Sequence, residues 1–231
     1  DRNRTSPFAF TGNKFEFRMV GSSDSVAPPN VVLNTIVAEA FKEAADELEK
    51  AEDFESAVHD MIKSLLADNK EIIFNGNGYS QAWVEEAKRR GLPNYPSMVD
   101  AIPALTTEKA VRLYETFGVF TRAELMTRAE VEYDAYGKAI NIEARTMIDM
   151  AGKQIIPAVI RYTTQLAGSI NAVKAACPDG MVDVTAQIRL LVETSSLLSD
   201  MKTALSSLED LTAECGAIED ACARAHAYHD R

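Results

Sequence analysis

The chain contains few of the residues that build disulfide frameworks or metal clusters. Its three cysteines are an odd number, and none of them stands in a paired C-x-x-C spacing. Of its three histidines, only His226 and His229 are close enough to share a helical face, and solvated positions in a terminal helix account for both. The composition therefore predicts neither a disulfide scaffold nor a zinc site, and the cysteines are expected to be reduced.

Long apolar runs and excess positive charge are missing as well. A membrane helix needs about 18 or more consecutive apolar residues, and no such run occurs. The first residues also lack the order of charged, apolar and small residues that marks a signal peptide. The 24 basic side chains are outnumbered by 35 acidic ones, for a net charge of −11, whereas nucleic acids and anionic membranes attract basic surfaces. We therefore expect a cytoplasmic protein with no nucleic-acid partner and no membrane partner.

Apolar residues at helical spacing dominate the chain after an N-terminal strand region. Within residues 1–20, two aromatic-rich segments on either side of a turn at 11–13 predict short strands. Cap residues and apolar periodicity then predict four helices, with approximate bounds 28–52, 54–69, 80–90 and 108–117. A hydrophobic content of 46% is ample for a packed core. The sequence thus predicts a predominantly α fold with a small β portion.

The character of the sequence changes at Thr121, where two long helices are predicted. Thr121 and Glu124 have the spacing of a capping box, and Gly152 and Pro157 should bend or divide the helix that follows. A turn at 177–180 leads to a second long helix beginning near 183–185. Its apolar stripe steps by sevens, threes and fours through Leu191, Leu198, Met201, Leu205, Leu208, Cys215 and Cys222. Such spacing needs a partner helix, so we expect a long antiparallel helical hairpin or bundle over residues 121–231, separate from residues 1–120.

Residues 14–18, with the sequence KFEFR, carry the strongest functional signal. Side chains alternate along a strand, so Lys14, Glu16 and Arg18 share one face, and Phe15 and Phe17 are expected to point into a core. Residues 1–20 hold four basic and two acidic side chains, whereas the rest of the chain holds 20 basic and 33 acidic ones. A carboxylate between two cations suits a cleft that binds phosphate. The alternative is a ladder of charges that only pairs with neighbouring strands.

Several short motifs together resemble one enzyme family. The sequence RNRTS at 2–6, FEFR at 15–18 and PPN at 28–30 resemble the last active-site segment of glutamine synthetase. Downstream, FNGNGYS at 74–80, WVEEA at 83–87 and RGLPN at 90–94 are similar to the large type III class of that family. These motifs are spread over most of positions 1–150.

The resemblance implies an ATP-dependent ligase that joins glutamate and ammonia through a glutamyl-phosphate intermediate. It also implies that residues 1–120 are the end of an α+β catalytic domain and that residues 121–231 are a C-terminal helical domain. In the family, strands that supply the other metal-binding carboxylates and a histidine precede the Arg-Asn-Arg motif, so we expect this chain to be a C-terminal piece that is inactive alone. A homo-oligomeric ring, a dodecamer, is the assembly that the resemblance implies.

The resemblance also assigns roles to individual residues. Glu16 matches the strand glutamate that binds the metal bridging the ATP phosphates, with Mg²⁺ or Mn²⁺ as the metal. Arg18 matches the catalytic arginine that contacts substrate glutamate and the transferred phosphate, and Arg4, with Arg2 and Lys14 near it, matches the ATP-binding position. Departures from the bacterial pattern are Ala9, where a further ATP-binding arginine is expected, and the reordered PPN element. Both departures agree with the type III class.

Two other classes of function are alternatives to a ligase. A non-enzymatic helical interaction module would explain the acidic helical tail, but it leaves the RNR and FEFR segments without a role. A stand-alone phosphotransferase is disfavoured because the chain has no P-loop and no carboxylate set that could hold two metals.

Overall fold

The structure is a computed structural model that describes residues 8–10, 14–18, 24–177 and 180–231. The chain divides into two units, Asp1–Met126 and Thr127–Arg231. The predominantly α fold with a small β portion is confirmed. Among the described residues, no helix is both long enough and apolar enough to cross a membrane. That residues 1–120 belong to a catalytic domain and residues 121–231 to a separate helical domain stays a prediction.

The first unit begins with a hairpin and continues as a series of helices. The strands are antiparallel, and the register pairs Phe8 with Phe17, Ala9 with Glu16 and Phe10 with Phe15. The elements of this unit, in chain order, are β1 (Phe8–Phe10), β2 (Phe15–Phe17), α1 (Ala27–Leu48), α2 (Phe54–Asp68), a 3₁₀ turn (Lys70–Ile72), α3 (Gln81–Arg89), α4 (Met98–Ala101), a second 3₁₀ turn (Ile102–Thr106) and α5 (Glu108–Thr116).

Side-chain caps fix where most of these helices begin. Asp53, Ser80, Ser97 and Thr107 each accept a hydrogen bond from the backbone N–H three residues further on. The cap also explains why α1 ends at Leu48 rather than near residue 52: Asp53 must adopt an extended backbone, with φ −115° and ψ 102°, to cap α2. The chain therefore leaves the first helix several residues before the cap.

The core of the first unit lies where α5 and the start of α6 meet α1. Val111, Tyr114 and Leu125 are buried there, and the half-buried Val31 and Val32 of α1 pack against them. Gly118 makes the tight turn out of α5 because it adopts a φ of +63°, which a residue with a Cβ rarely adopts. The turn is closed by the Val119 N–H, which donates to the Tyr114 carbonyl at 2.9 Å.

The first unit leaves several large apolar side chains exposed. The prediction that Phe15 and Phe17 point into a core is wrong for this chain, since they are 61% and 41% exposed. A strand is buried only by a layer packed against it, and the described part of the first unit provides no such layer over these rings. The same exposure extends along the two longest helices of the unit, at Ile36, Val37, Phe41, Phe54, Ile62, Leu65 and Leu66.

The described residues of the second unit form four helices. α6 (Arg122–Met150) crosses the division between the units, a π-helical turn (Ala151–Ile155) follows, and α7 (Ile156–Ala176), α8 (Thr185–Gly216) and α9 (Ala221–Asp230) complete the chain. The predicted capping box at the start of α6 is present, because the Thr121 N–H donates to Glu124 Oε2 at 2.8 Å and the Glu124 N–H donates to Thr121 Oγ1 at 3.3 Å. The π-helical turn lies where Gly152 and Pro157 predict an interruption. Pro157 lacks an N–H and crowds the carbonyl four residues earlier, which disfavours regular α-helix there.

Helices α7 and α8 pack against each other as the predicted hairpin. Ile170 of α7 and Leu205 and Cys215 of α8 are buried. The expected stripe differs from the structure at its end, because α8 stops at Gly216 and Cys222 lies on α9, where it is half-buried. The break arises because Asp220 takes an extended backbone and accepts the Ala223 N–H at 2.7 Å, which starts a new helix.

Candidate functional site

The strand that carries the predicted site is present as β2, with one charged residue at its centre and one next to each end. Lys14 precedes the strand and is exposed, Glu16 is its central residue, and Arg18 follows its end. The register places Ala9 of β1 opposite Glu16. Arg2 and Arg4 lie outside the described residues, so of the predicted site residues the structure brings together Glu16 and Arg18.

Glu16 and Arg18 form an ion pair. Arg18 Nη2 and Nε donate to Glu16 Oε2 at 2.9 and 3.2 Å. The two residues are two positions apart, so this contact requires that their side chains share a face of the strand, as the alternation predicts. The Arg18 side chain is 20% exposed and that of Glu16 is 41% exposed. The pair is thus held at a surface that a ligand can reach.

The chemistry available at this pair is oxygen ligation by Glu16 and anion binding by Arg18. A carboxylate suits a hard divalent cation, but Mg²⁺ takes an octahedral shell of oxygen ligands. No group of three or more metal-binding side chains occurs among the described residues. The described part of the chain therefore does not by itself form a metal centre.

Arg90 organises a second segment, the loop that carries the FNGNGYS motif. Its Nη1 donates to the carbonyls of Glu71 and Ile73 at 2.9 and 3.0 Å, and its Nε donates to Glu86 at 2.5 Å. The guanidinium carbon lies 5.4 Å from the ring centroid of Trp83, within reach of a cation–π interaction. Arg90 thereby ties the chain before the motif to α3, which follows it. Sequence reasoning missed this role, although Glu86 and Arg90 stand four residues apart on a helix.

The motif itself is a compact turn that starts α3. The rings of Phe74 and Trp83 stack with centroids 4.1 Å apart. Asn77 Oδ1 accepts the Tyr79 N–H at 3.1 Å, and the Ser80 hydroxyl donates to the Asn77 carbonyl at 2.7 Å. A Cβ at Gly76 would come within 2.8 Å of the Phe74 ring, so glycine is required for the stacked arrangement.

Acid should loosen this loop. Hydrogen bonds from Arg89 and then Arg90 lower the pKa of Glu86 from 4.5 to about 2. A carboxyl whose pKa is lowered in the folded state stabilises the fold above its ordinary pKa, and that contribution is lost as the pH falls from about 4.5 to about 2. We expect the fluorescence of Trp83, the chain's one tryptophan, to change over this pH range. Glu86→Gln should flatten the change and Glu85→Gln should not; equal profiles for both variants would contradict the assignment.

Comparisons with known proteins point to one family. The family described as "Glutamine synthetase C-terminal domain" matches residues 57–174. The chain is 42% identical over 176 residues to a type-3 glutamine synthetase of Dictyostelium discoideum, a match covering 75% of this chain and 24% of that protein. It is 34% identical over 237 residues to a glutamine synthetase of Butyrivibrio fibrisolvens, covering 99% of this chain and 32% of the relative. A glutamine synthetase of Bacteroides fragilis (strain YCH46) is 32% identical over 236 residues, and the match covers 100% of this chain and 32% of the relative. The matches therefore span 24% to 32% of the length of these relatives.

Proposed function

The chain belongs to the glutamine synthetase family, and we propose on that premise that the longer protein joins glutamate to ammonia at the expense of ATP. The family match over residues 57–174 carries this proposal. Residues 1–120 are then the end of the catalytic domain, and residues 121–231 are a helical domain that follows it. Within the reaction, this chain supplies one wall of the active site, built on β2.

Glu16 and Arg18 have complementary tasks in this proposal. Phosphoryl transfer to a carboxylate brings two anions together, so cations must neutralise the charge that develops. Arg18 binds the substrate carboxylate and the transferred phosphate, for which the planar fork of a guanidinium is well suited. Glu16 gives one oxygen to Mg²⁺ or Mn²⁺. The hydrogen bonds from Arg18 to Glu16 both end on Oε2, so Oε1 can bind the cation without breaking either of them.

The ATP phosphates are proposed to bind at the basic residues around this strand. Arg4 is the main contact, Arg2 supports it, and Lys14 adds a third positive charge beside β2. Together with Arg18, these residues give positions 1–20 a net positive charge, whereas the rest of the chain is acidic. Ala9, opposite Glu16 in the ladder, cannot act as the additional ATP-binding arginine.

The isolated 231-residue chain should form no glutamine. One carboxylate cannot organise the divalent ions, and the remaining ligands must come from residues outside this chain. The test compares the chain with the longer protein in the presence of ATP, glutamate, ammonia and Mg²⁺. Glutamine well above background from the chain alone would disprove the idea that its site is incomplete. An inactive longer protein would instead favour the interaction-module alternative.

The helical domain is proposed to assist assembly into a homo-oligomer. Ile160 of α7 and Val192 and Leu197 of α8 are 49%, 64% and 61% exposed, which leaves apolar surface on the hairpin for a partner. Removing residues 127–231 from the longer protein keeps Leu125 in the core of the first unit and should change the oligomer size or solubility more than the ATP affinity. Light scattering measures the particle size, and an unchanged particle with intact catalysis would contradict the proposal.

A further inference from the structure

A cleft in the second unit lies between α6, the C-terminal end of α8, and α9. Its volume is about 760 Å³, within the size range of small-molecule sites. Three charged or amide side chains of α6 line it: Lys138, Asn141 and Arg145. They stand three and four residues apart, so they follow one face of the helix. Arg224 and Tyr228 of α9 form the opposite wall.

Hydrogen bonds fix that wall in place. Arg224 is only 19% exposed; its Nη2 donates to Asp134 at 2.7 Å, and its Nη1 donates to the carbonyls of Ile218 and Glu219 at 2.8 and 3.2 Å. The Tyr228 hydroxyl donates to the Thr212 carbonyl at 3.3 Å and accepts a hydrogen bond from the Asn141 amide. The hydrogen bonds of Arg224 are therefore made within the protein. The cleft is formed before any ligand binds.

The cleft is basic although the protein is acidic. Lys138, Arg145 and Arg224 line it, and no carboxylate is among the described residues that do so. Asp134, outside the lining, pairs with both Arg224 and Lys138, so one carboxylate is shared by two of the three cations, and no described ion pair involves Arg145. Lys138 remains 72% exposed despite this ion pair. In a chain with a net charge of −11, such a concentration of positive charge in a concave site favours an anion.

The rest of the lining is apolar and small. Ile142, Ala213 and Ala217 contribute aliphatic surface. A Cβ at Gly216 would lie 3.5 Å from Tyr228 Oη and 3.6 Å from Asn141 Nδ2, so a larger side chain there would occupy the space beside the polar wall. The cleft therefore combines a cationic end with an apolar floor and has far more room than an inorganic ion needs.

From this combination we propose that the cleft binds a small organic anion. Its phosphate or carboxylate groups bind Lys138 and Arg145, its carbon body lies over Ile142, and Asn141 and Tyr228 orient it. The site belongs to the second unit, whereas Glu16 and Arg18 belong to the first, so the inference does not depend on the proposed ligase activity.

The test is isothermal titration calorimetry of the 231-residue chain at constant ionic strength. Citrate represents polycarboxylates, fructose 1,6-bisphosphate represents organic phosphates, and inorganic phosphate is the simple-ion control. We expect saturable one-site binding of one of the two organic probes, tighter than that of inorganic phosphate. Binding of neither organic probe, or equal binding of inorganic phosphate, would overturn the proposal.

Two substitutions test whether the ligand binds in the cleft. Arg145→Gln removes an exposed cation and should weaken binding about tenfold, the typical cost of losing a charge-assisted hydrogen bond. Arg161→Gln, at an exposed arginine of α7 that does not line the cleft, is the matched control and should stay within about twofold of the unmodified chain. Gly216→Leu should abolish binding of the same probe while circular dichroism shows an unchanged melting temperature. Equal losses in the two arginine variants, or retained binding in a folded Gly216→Leu chain, would refute the site.

Discussion

Replacing Arg18 with alanine in the longer protein should lower glutamine formation about a hundredfold, equivalent to about 3 kcal/mol of transition-state stabilisation. The guanidinium is proposed to bind substrate glutamate and the phosphoryl group in transit, and no residue of β2 carries a cation that could replace it. The loss should appear mainly as weaker glutamate and transition-state binding. Metal affinity should stay closer to normal.

Glu16→Gln should give a different kinetic signature at the same strand. The change keeps the size of the side chain but removes its negative charge, so engagement of metal-bound ATP and phosphoryl transfer should fall. Raised Mg²⁺ or Mn²⁺ should restore part of the activity if the amide oxygen still coordinates. Activity measured against metal and against glutamate concentration separates the two variants.

If the ion pair between Glu16 and Arg18 has only a structural role, both substitutions should have a different effect. Each substitution would lower the melting temperature by a similar small amount, because exposed ion pairs contribute little to the stability of the fold. The turnover per folded enzyme would be unchanged. Arg112→Ala, at an exposed arginine of α5, is a control for loss of a positive charge in the same unit. If it affects activity as much as Arg18→Ala, the assigned role of Arg18 is wrong.

Leu125→Ala should destabilise the first unit by about 3 kcal/mol, within the range of about 2–5 kcal/mol found for such truncations in cores. Leu125 is 1% exposed and packs with Val111 and Tyr114, so the deleted methyl groups leave a cavity that the neighbouring helices cannot fill. Urea unfolding followed by fluorescence of Trp83, which lies in the same unit, measures the change in the free energy of unfolding.

The adjacent residue provides the control for this substitution. Met126 is 44% exposed, and Met126→Ala should change the free energy of unfolding by roughly 0.5 kcal/mol or less. A difference of under about 1 kcal/mol between the two variants would mean that the cluster around Tyr114 is not the stabilising core of the unit.

Local signals in the sequence were sufficient to locate most helices. The caps at Ser80 and Thr107 and the capping box at Thr121 act within three residues, so their positions can be read from the sequence alone. The start of α8 at Thr185 and the interruption near Gly152 follow from equally local chemistry. The pairing of Glu16 with Arg18 is also local, because strand alternation places both side chains on one face.

Features that depend on distant residues were not predictable. Burial of Phe15 and Phe17 depends on a second layer, which a strand pattern cannot specify. The Arg90 contacts to the carbonyls of Glu71 and Ile73 span 19 and 17 residues of sequence, and nothing in the local pattern indicates them. The cleft between α6 and α9 likewise depends on side chains about 90 positions apart, such as Asp134 and Arg224.

The π-helical turn at Ala151–Ile155 determines how the helical domain can change in length. A π-helical turn holds one residue more than the α-helical path needs. Losing one residue from this turn, together with replacement of Pro157 by a residue that has an N–H, would convert it to regular α-helix and leave the faces of α6 and α7 aligned as before. The same deletion elsewhere in either helix would rotate everything beyond it by about 100° and turn the buried face of α7 away from α8. With Pro157 replaced, the turn is a place where these two helices can lose a residue over evolution without repacking the hairpin.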